Sequence, residues 1–133
     1  MRRLRRWPRP IMSDCLLLVT GTKTGEMVVI ERTPTQAGIR YPPGDFIVVT
    51  NDYITMAHHA AAPEGDIIEA TSCSRFEAVD GFFCGGGPKQ RLRPVTFDDA
   101  FGILRNLNVQ MDITVQQMCF CAATGDISVR PPG

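Results

Sequence analysis

The sequence predicts an α+β fold with a largely antiparallel sheet and two helices. Three observations lead to this prediction. Apolar, β-branched runs gather in the first 50 residues, two helix-start signals follow them, and a last pair of apolar runs closes the chain. Strands and helices are therefore segregated along the chain and do not alternate, which is typical of α+β proteins.

The first predicted element is a hairpin. The apolar runs Cys15–Thr20 and Met27–Arg32 flank a turn that contains Gly21 and Gly25. Glycine can adopt positive φ without a steric penalty, so both positions suit a tight turn. A third short strand is expected over 36–41, after the break made by the preceding proline.

A further strand is predicted over 46–50, because this run is apolar and β-branched and follows the turn signal Pro42–Asp45. Residues 53–72 show no clear period and are expected to form a long connection. They include the pair His58–His59. Connections of this length in compact domains often carry function.

Two helices are predicted next. Ser74 and Glu77 have the spacing of a capping box, so the first helix should begin at Ser74 and end before the glycines at 85–87. Thr96 is expected to open the second helix, whose apolar positions recur at helical spacing as far as Leu107.

A closing hairpin is predicted from the runs 114–120 and 127–129, which flank the turn Ala122–Asp126. This turn and the first one share a Thr-Gly pair between apolar strands. Two hairpins of this kind are too little to indicate an internal duplication.

The length and the charge distribution bound the domain organisation. The chain has 133 residues, of which 44% are hydrophobic, so a single α+β domain is expected over 13–133. Residues 1–12 hold five of the 14 basic residues and are expected to form a disordered basic leader. The remaining acidic body argues against nucleic-acid binding, which needs a distributed basic surface. No apolar run approaches the ~20 residues of a membrane span.

Neither a metal nor a cofactor is expected. The five cysteines form no disulfide framework, which favours a cytoplasmic protein. Cys119 and Cys121 would share one face of a strand, an awkward spacing for chelating one ion. The glycines before Lys89 follow a helix, whereas a phosphate-binding loop precedes one. A nucleophile pair of Cys73 with His58 or His59 stays an alternative that sequence spacing does not decide.

Asn51 and Arg75 are the candidate site residues. Asn51 stands where a predicted strand ends, and its neutral amide can donate to a developing oxyanion. An asparagine at the end of a strand is usually a turn residue, which is the alternative role for Asn51. Arg75 lies near a predicted helix start, where a cation opposes the helix dipole, so a carboxylate partner or a substrate is expected to hold it.

Three segments of the chain together resemble a known family. The segments are Gly25–Pro34 running on to Val49–Tyr53, then Ser72–Phe76, and finally Thr96–Phe101 with the terminal Thr124-Gly125 hairpin. They are similar to the C-terminal portion of the N-terminal-nucleophile hydrolases of the penicillin acyltransferase-like and linear amide C–N hydrolase group. Acid ceramidase and choloylglycine hydrolase are distant relatives of that group. The similarity covers about residues 13–130.

The resemblance implies part of a four-layer αββα sandwich and attack on a linear N-acyl amide by an N-terminal cysteine. It puts Asn51 in the oxyanion-stabilising position and Arg75 in the position of the active-site arginine. The family's nucleophile lies upstream of the strand that Cys15–Thr20 matches. The chain is therefore expected to be a C-terminal fragment or subunit of a hydrolase or acyltransferase.

That expectation has consequences for activity and assembly. The chain should be inactive alone and should associate with a missing N-terminal half or with itself, because half a sandwich leaves a sheet face uncovered. The alternative is a non-catalytic α+β interaction module or a truncated gene product.

Overall fold

The computed structural model describes residues 9–56, 70–85 and 95–133. These residues form two antiparallel sheets and two helices, so the predicted α+β class with an antiparallel sheet is confirmed. They belong to two compact units, one ending at Ser72 and the other beginning at Cys73. In chain order the elements are β1 (Cys15–Thr20), β2 (Met27–Arg32), β3 (Ala37–Arg40), α1 (Ser72–Gly85), α2 (Phe97–Leu104), β4 (Gln117–Cys121) and β5 (Asp126–Arg130).

The first unit is built on a three-stranded sheet in the order β1-β2-β3, with both pairs antiparallel. The predicted first hairpin is confirmed, with Cys15 opposite Arg32. Gly25 has a φ of 80°, which explains the glycine in this turn. Gly21 does not have positive φ. A Cβ there would lie 2.8 Å from the Cβ of Glu26, so the absence of a side chain serves close approach instead.

The strand predicted over 46–50 is wrong. Within the described residues this segment belongs to neither sheet. Side chains supply part of its hydrogen bonding, because Arg40 Nη1 donates to the carbonyl oxygen of Val48 at 2.7 Å. Val48 is nevertheless buried, so its apolar character serves the core of the first unit and does not form a ladder.

Helix α1 begins at Ser72, two residues before the predicted start. Ser74 and Glu77 therefore lie inside the helix, and the capping box predicted for them is wrong. The residue at the observed start, Ser72, is fully buried, and its Oγ accepts a hydrogen bond from the backbone N–H of Asn51 at 2.8 Å. The described helix includes Gly85, one residue beyond the predicted end before the glycine run.

Helix α2 begins as predicted. Thr96 Oγ1 accepts from the backbone N–H of Asp99 at 3.2 Å, and the Asp99 carboxylate accepts from the Thr96 N–H at 2.9 Å. The helix ends at Leu104, short of the predicted Leu107, because Asn106 starts a turn. Asn106 Oδ1 accepts from the N–H of Asn108, and Leu107 is exposed.

The second hairpin packs on α2. Its strands pair Gln117 with Arg130 and Cys121 with Asp126, so the predicted hairpin is confirmed with a later start. Phe101 of α2 is 1% exposed and lies under the guanidinium of Arg130, 4.2 Å from the ring centroid. Buried Gln117 donates to the carbonyl oxygen of Leu104 at 2.9 Å, which joins the hairpin to the helix end. Neither described helix is long and apolar enough to cross a membrane.

Candidate functional site

Asn51 is an exposed residue whose backbone N–H is hydrogen-bonded to a buried side chain. It follows segment 46–50, which belongs to neither sheet, and its N–H donates to the buried Oγ of Ser72. Because Ser72 has no exposed surface, this hydrogen bond is shielded from water. The backbone of Asn51 is thereby fixed while the residue itself stays accessible at the surface.

A buried carboxylate fixes the chain that follows Asn51. Glu31 on β2 is 0% exposed. Its Oε1 accepts from the N–H of Ile54 at 3.0 Å, and its Oε2 accepts from the N–H groups of Thr55 at 2.8 Å and Met56 at 3.2 Å. Three consecutive backbone N–H groups therefore donate to one carboxylate, which fixes the path of residues 54–56.

Two neighbours of Glu31 make this arrangement possible. Arg40 Nε lies 3.4 Å from Glu31 Oε1 and compensates the buried charge. Gly38 is the residue directly opposite Glu31 in β3. A Cβ on Gly38 would lie 3.1 Å from side-chain atoms of both Thr55 and Met56, so a glycine leaves the room that the crossing segment needs.

Tyr53 ties the same segment to the sheet at a second point. Its hydroxyl donates to the carbonyl oxygen of Arg32 at 3.1 Å. Burial, and to a smaller extent the nearby Asp14, Cys15 and Glu31, together raise the pKa of Tyr53 to about 12. The phenol is therefore held in its neutral, donating form.

Arg75 lies in the first turn of α1 and is half-buried. It belongs to the second unit, whereas Asn51 belongs to the first. The position of each residue is therefore described within its own unit. The convergence of Asn51 and Arg75 on one cleft stays a prediction. The two residues keep the roles that the resemblance implies for them as hypotheses.

Some of the other candidate residues lie outside the part of the chain that the structure describes. The structure does not describe His58–His59, the stretch 86–89 or residues 1–8 of the basic leader. Among the described residues, no group of three or more His, Cys, Asp or Glu side chains is placed to hold a metal ion.

The two cysteines of β4 differ in acidity. Burial raises the pKa of the Cys119 thiol, although the nearby charge of Arg130 acts in the opposite direction. Hydrogen bonds from the side chain and the backbone of Thr124 lower the pKa of the Cys121 thiol. Cys121 therefore has the greater thiolate character of the pair.

Sequence reasoning missed both anchors of the Asn51 segment. Glu31 is the single acidic residue of β2, and an acidic residue in an otherwise largely apolar strand is the signal that could have identified it. Ser72 belongs to the segment Ser72–Phe76, and nothing in the neighbouring sequence indicates that its hydroxyl is buried. Comparisons with protein-family models, with curated proteins and with solved structures found no match for the chain.

Proposed function

We propose that the chain supplies the oxyanion-stabilising and substrate-orienting part of an amide (C–N) hydrolase or acyltransferase that acts on linear N-acyl amides. In this proposal Asn51 donates to the oxyanion and Arg75 orients the substrate. The observation that carries the proposal is that Asn51 is exposed while its backbone N–H donates a hydrogen bond to the buried hydroxyl of Ser72. The resemblance of three segments to the N-terminal-nucleophile hydrolases adds support.

The chemistry requires a rigid donor at the reacting carbonyl. The thiol of an N-terminal cysteine gives its proton to the α-amino group of the same residue and attacks the amide carbon, so the carbonyl oxygen becomes negative. Collapse then passes that proton to the leaving amine and forms a thioester. Water or a second acceptor then takes the acyl group. A neutral amide that is already oriented stabilises the negative oxygen without reorganising in the transition state. The hydrogen bonds that Ser72 and Glu31 accept on either side of Asn51 fix the backbone that carries this amide.

The proposal assigns the nucleophile to another segment. None of the five cysteines of this chain matches the family's nucleophilic position, so we infer that an N-terminal partner half provides it. The absence of a disulfide framework in the sequence favours action in the cytoplasm. A small-molecule N-acyl amide is the expected substrate class, with neither metal nor cofactor required by this mechanism.

The test is thiol-dependent hydrolysis of a panel of N-acyl amides. We expect no turnover by the chain alone, and turnover when it is expressed together with the coding region upstream of it. Loss of that turnover on blocking thiols would support a cysteine nucleophile. Robust thiol-dependent turnover by the chain alone would contradict the proposed division of the site and would point to Cys73 or Cys15.

The role of Arg75 is tested by Arg75→Lys in the complete assembly. An ammonium group cannot replace the planar fork of a guanidinium, so kcat/KM should fall by at least about tenfold. Arg105→Lys is the matched control, because Arg105 packs on Phe101 in α2 and has no role in the proposed chemistry. Equal kcat/KM values for the two variants would remove Arg75 from the site.

A further inference from the structure

Ser72 is the one fully buried residue among the described side chains of α1. It begins the helix, and its Oγ accepts the backbone N–H of Asn51 at 2.8 Å. Both residues belong to the first unit. Serine is mostly found at the surface, where water satisfies its hydroxyl, whereas Ser72 is 0% exposed. The hydroxyl of Ser72 therefore serves protein groups, and the backbone of Asn51 is one of them.

The hydrogen bond to Ser72 also decides which donor Asn51 can offer to a substrate. Each residue has a single backbone N–H, and that of Asn51 is used by the buried hydroxyl. A contact between Asn51 and an oxyanion would therefore come from the side-chain amide. The place of that amide depends on where the backbone of Asn51 is held.

Ser72 acts closer to this amide than the second anchor does. The buried carboxylate of Glu31 accepts from the N–H groups of residues 54–56, which follow Asn51 in the chain. The hydrogen bond to Ser72 is made by Asn51 itself, so its loss releases the residue that carries the amide. A group that stabilises a transition state must be held within about 0.5 Å of its productive position. Loss of the Ser72 hydroxyl should therefore affect the chemical step.

We propose that Ser72 is a positioning residue for the oxyanion donor: its buried hydroxyl holds the backbone of Asn51 so that the side-chain amide meets the developing negative charge. The inference rests on the proposed function and extends it to a buried residue that acts through Asn51. Because the oriented amide is used in the transition state, removal of the Ser72 hydroxyl should lower kcat and leave KM nearly unchanged.

A double-mutant cycle in the complete assembly tests the proposal. Ser72→Ala alone should lower kcat by about tenfold, because the amide of Asn51 is displaced. In the Asn51→Ala background the same substitution should change kcat by less than about twofold, because the group that Ser72 positions is gone. Ser128→Ala, at a half-buried serine of β5, is the matched control and should leave kcat unchanged in both backgrounds. If Ser72→Ala does not fold, Ser72→Cys replaces it, since a thiol is a weaker acceptor.

Amide hydrogen exchange of the full chain gives a second readout, which does not depend on activity. The N–H of Asn51 should exchange at least about tenfold faster in a folded Ser72→Ala variant than in the wild type. Equal exchange rates would overturn the proposal.

The kinetic outcomes separate this proposal from the proposed function. If Asn51→Ala lowers kcat and Ser72→Ala does not, the positioning role is wrong while the proposed function stands. If Ser72→Ala lowers kcat equally in both backgrounds, Ser72 does not act through Asn51 and the positioning role is again wrong. If Asn51→Ala keeps the wild-type kcat, the proposed function fails, and the positioning role fails with it.

Discussion

Glu31 is a fully buried carboxylate whose hydrogen bonds and ion pair offset the free-energy cost of removing it from water. Removing a carboxylate from water costs several kcal/mol, and the structure offsets this with three backbone donors and the guanidinium of Arg40. The three donors come from the segment directly after Asn51. The same interaction that offsets the burial of Glu31 therefore orders the chain beside the candidate site.

Glu31→Gln should lower the free energy of unfolding by about 3 kcal/mol. The neutral amide turns a donor toward backbone N–H groups and leaves the Arg40 charge in a largely buried position without its partner. Chemical denaturation measures the change. A fall below about 1 kcal/mol would mean that the carboxylate does not hold the segment.

Asp98→Asn is the matched control for this substitution. Asp98 also forms an ion pair, at 2.9 Å with Arg130, but its side chain is 83% exposed. Solvent screens an exposed pair, so the same change of chemistry should cost less than about 1 kcal/mol. The contrast between the two variants isolates the effect of burial.

Tyr53 makes the stability of the first unit sensitive to alkaline pH. Its folded pKa of about 12 exceeds the ordinary tyrosine pKa of 10.0, so folding favours the neutral phenol. The resulting stabilisation is complete below pH 10 and is lost as the pH rises toward 12. The chain has two tyrosines, so Tyr41→Phe leaves Tyr53 as the one phenol to titrate.

Absorbance at 295 nm of the Tyr41→Phe variant measures that titration. The folded protein should show a midpoint near 12, and the same chain in denaturant should return to about 10. A folded midpoint at the denatured value would contradict the burial of the Tyr53 hydroxyl against Arg32.

At the scale of the elements, both hairpins and the second helix could be predicted from the sequence. Their signals are local: apolar strands around a Thr-Gly turn, and a threonine three residues before an aspartate. The failures come from non-local contacts. The run 46–50 looks like a strand, but Arg40 binds the carbonyl of Val48. The start of α1 depends on Ser72, which Asn51 contacts from 21 residues away.

Thr96→Ala tests the local signal for α2. The substitution removes the hydroxyl that accepts the Asp99 N–H, which should lower the free energy of unfolding by about 1 kcal/mol. Thr22→Ala, at an exposed position of the first turn, should change it by less than about 0.5 kcal/mol. Thermal or chemical denaturation compares the two, and equal effects would show that the cap contributes nothing.

At the scale of the whole molecule, the candidate site was predictable only in part. Asn51 could be singled out because a polar amide follows an apolar run, and Arg75 because a cation near a helix start is unusual. Their anchoring could not be predicted, because it rests on burial: Glu31 and Ser72 are ordinary surface residue types that tertiary packing covers. The convergence of Asn51 and Arg75 on one cleft stays a prediction, because the two residues belong to different units.

The turnover number of Asn51→Ala tests the central proposal most directly. It is measured on N-acyl amides with the chain expressed together with its upstream region, beside the exposed Asn108→Ala as matched control. Loss of an oxyanion donor should lower kcat by about 100-fold or more in Asn51→Ala, while Asn108→Ala keeps the wild-type value. An active assembly in which Asn51→Ala retains the wild-type kcat would contradict the assignment of Asn51 to the oxyanion.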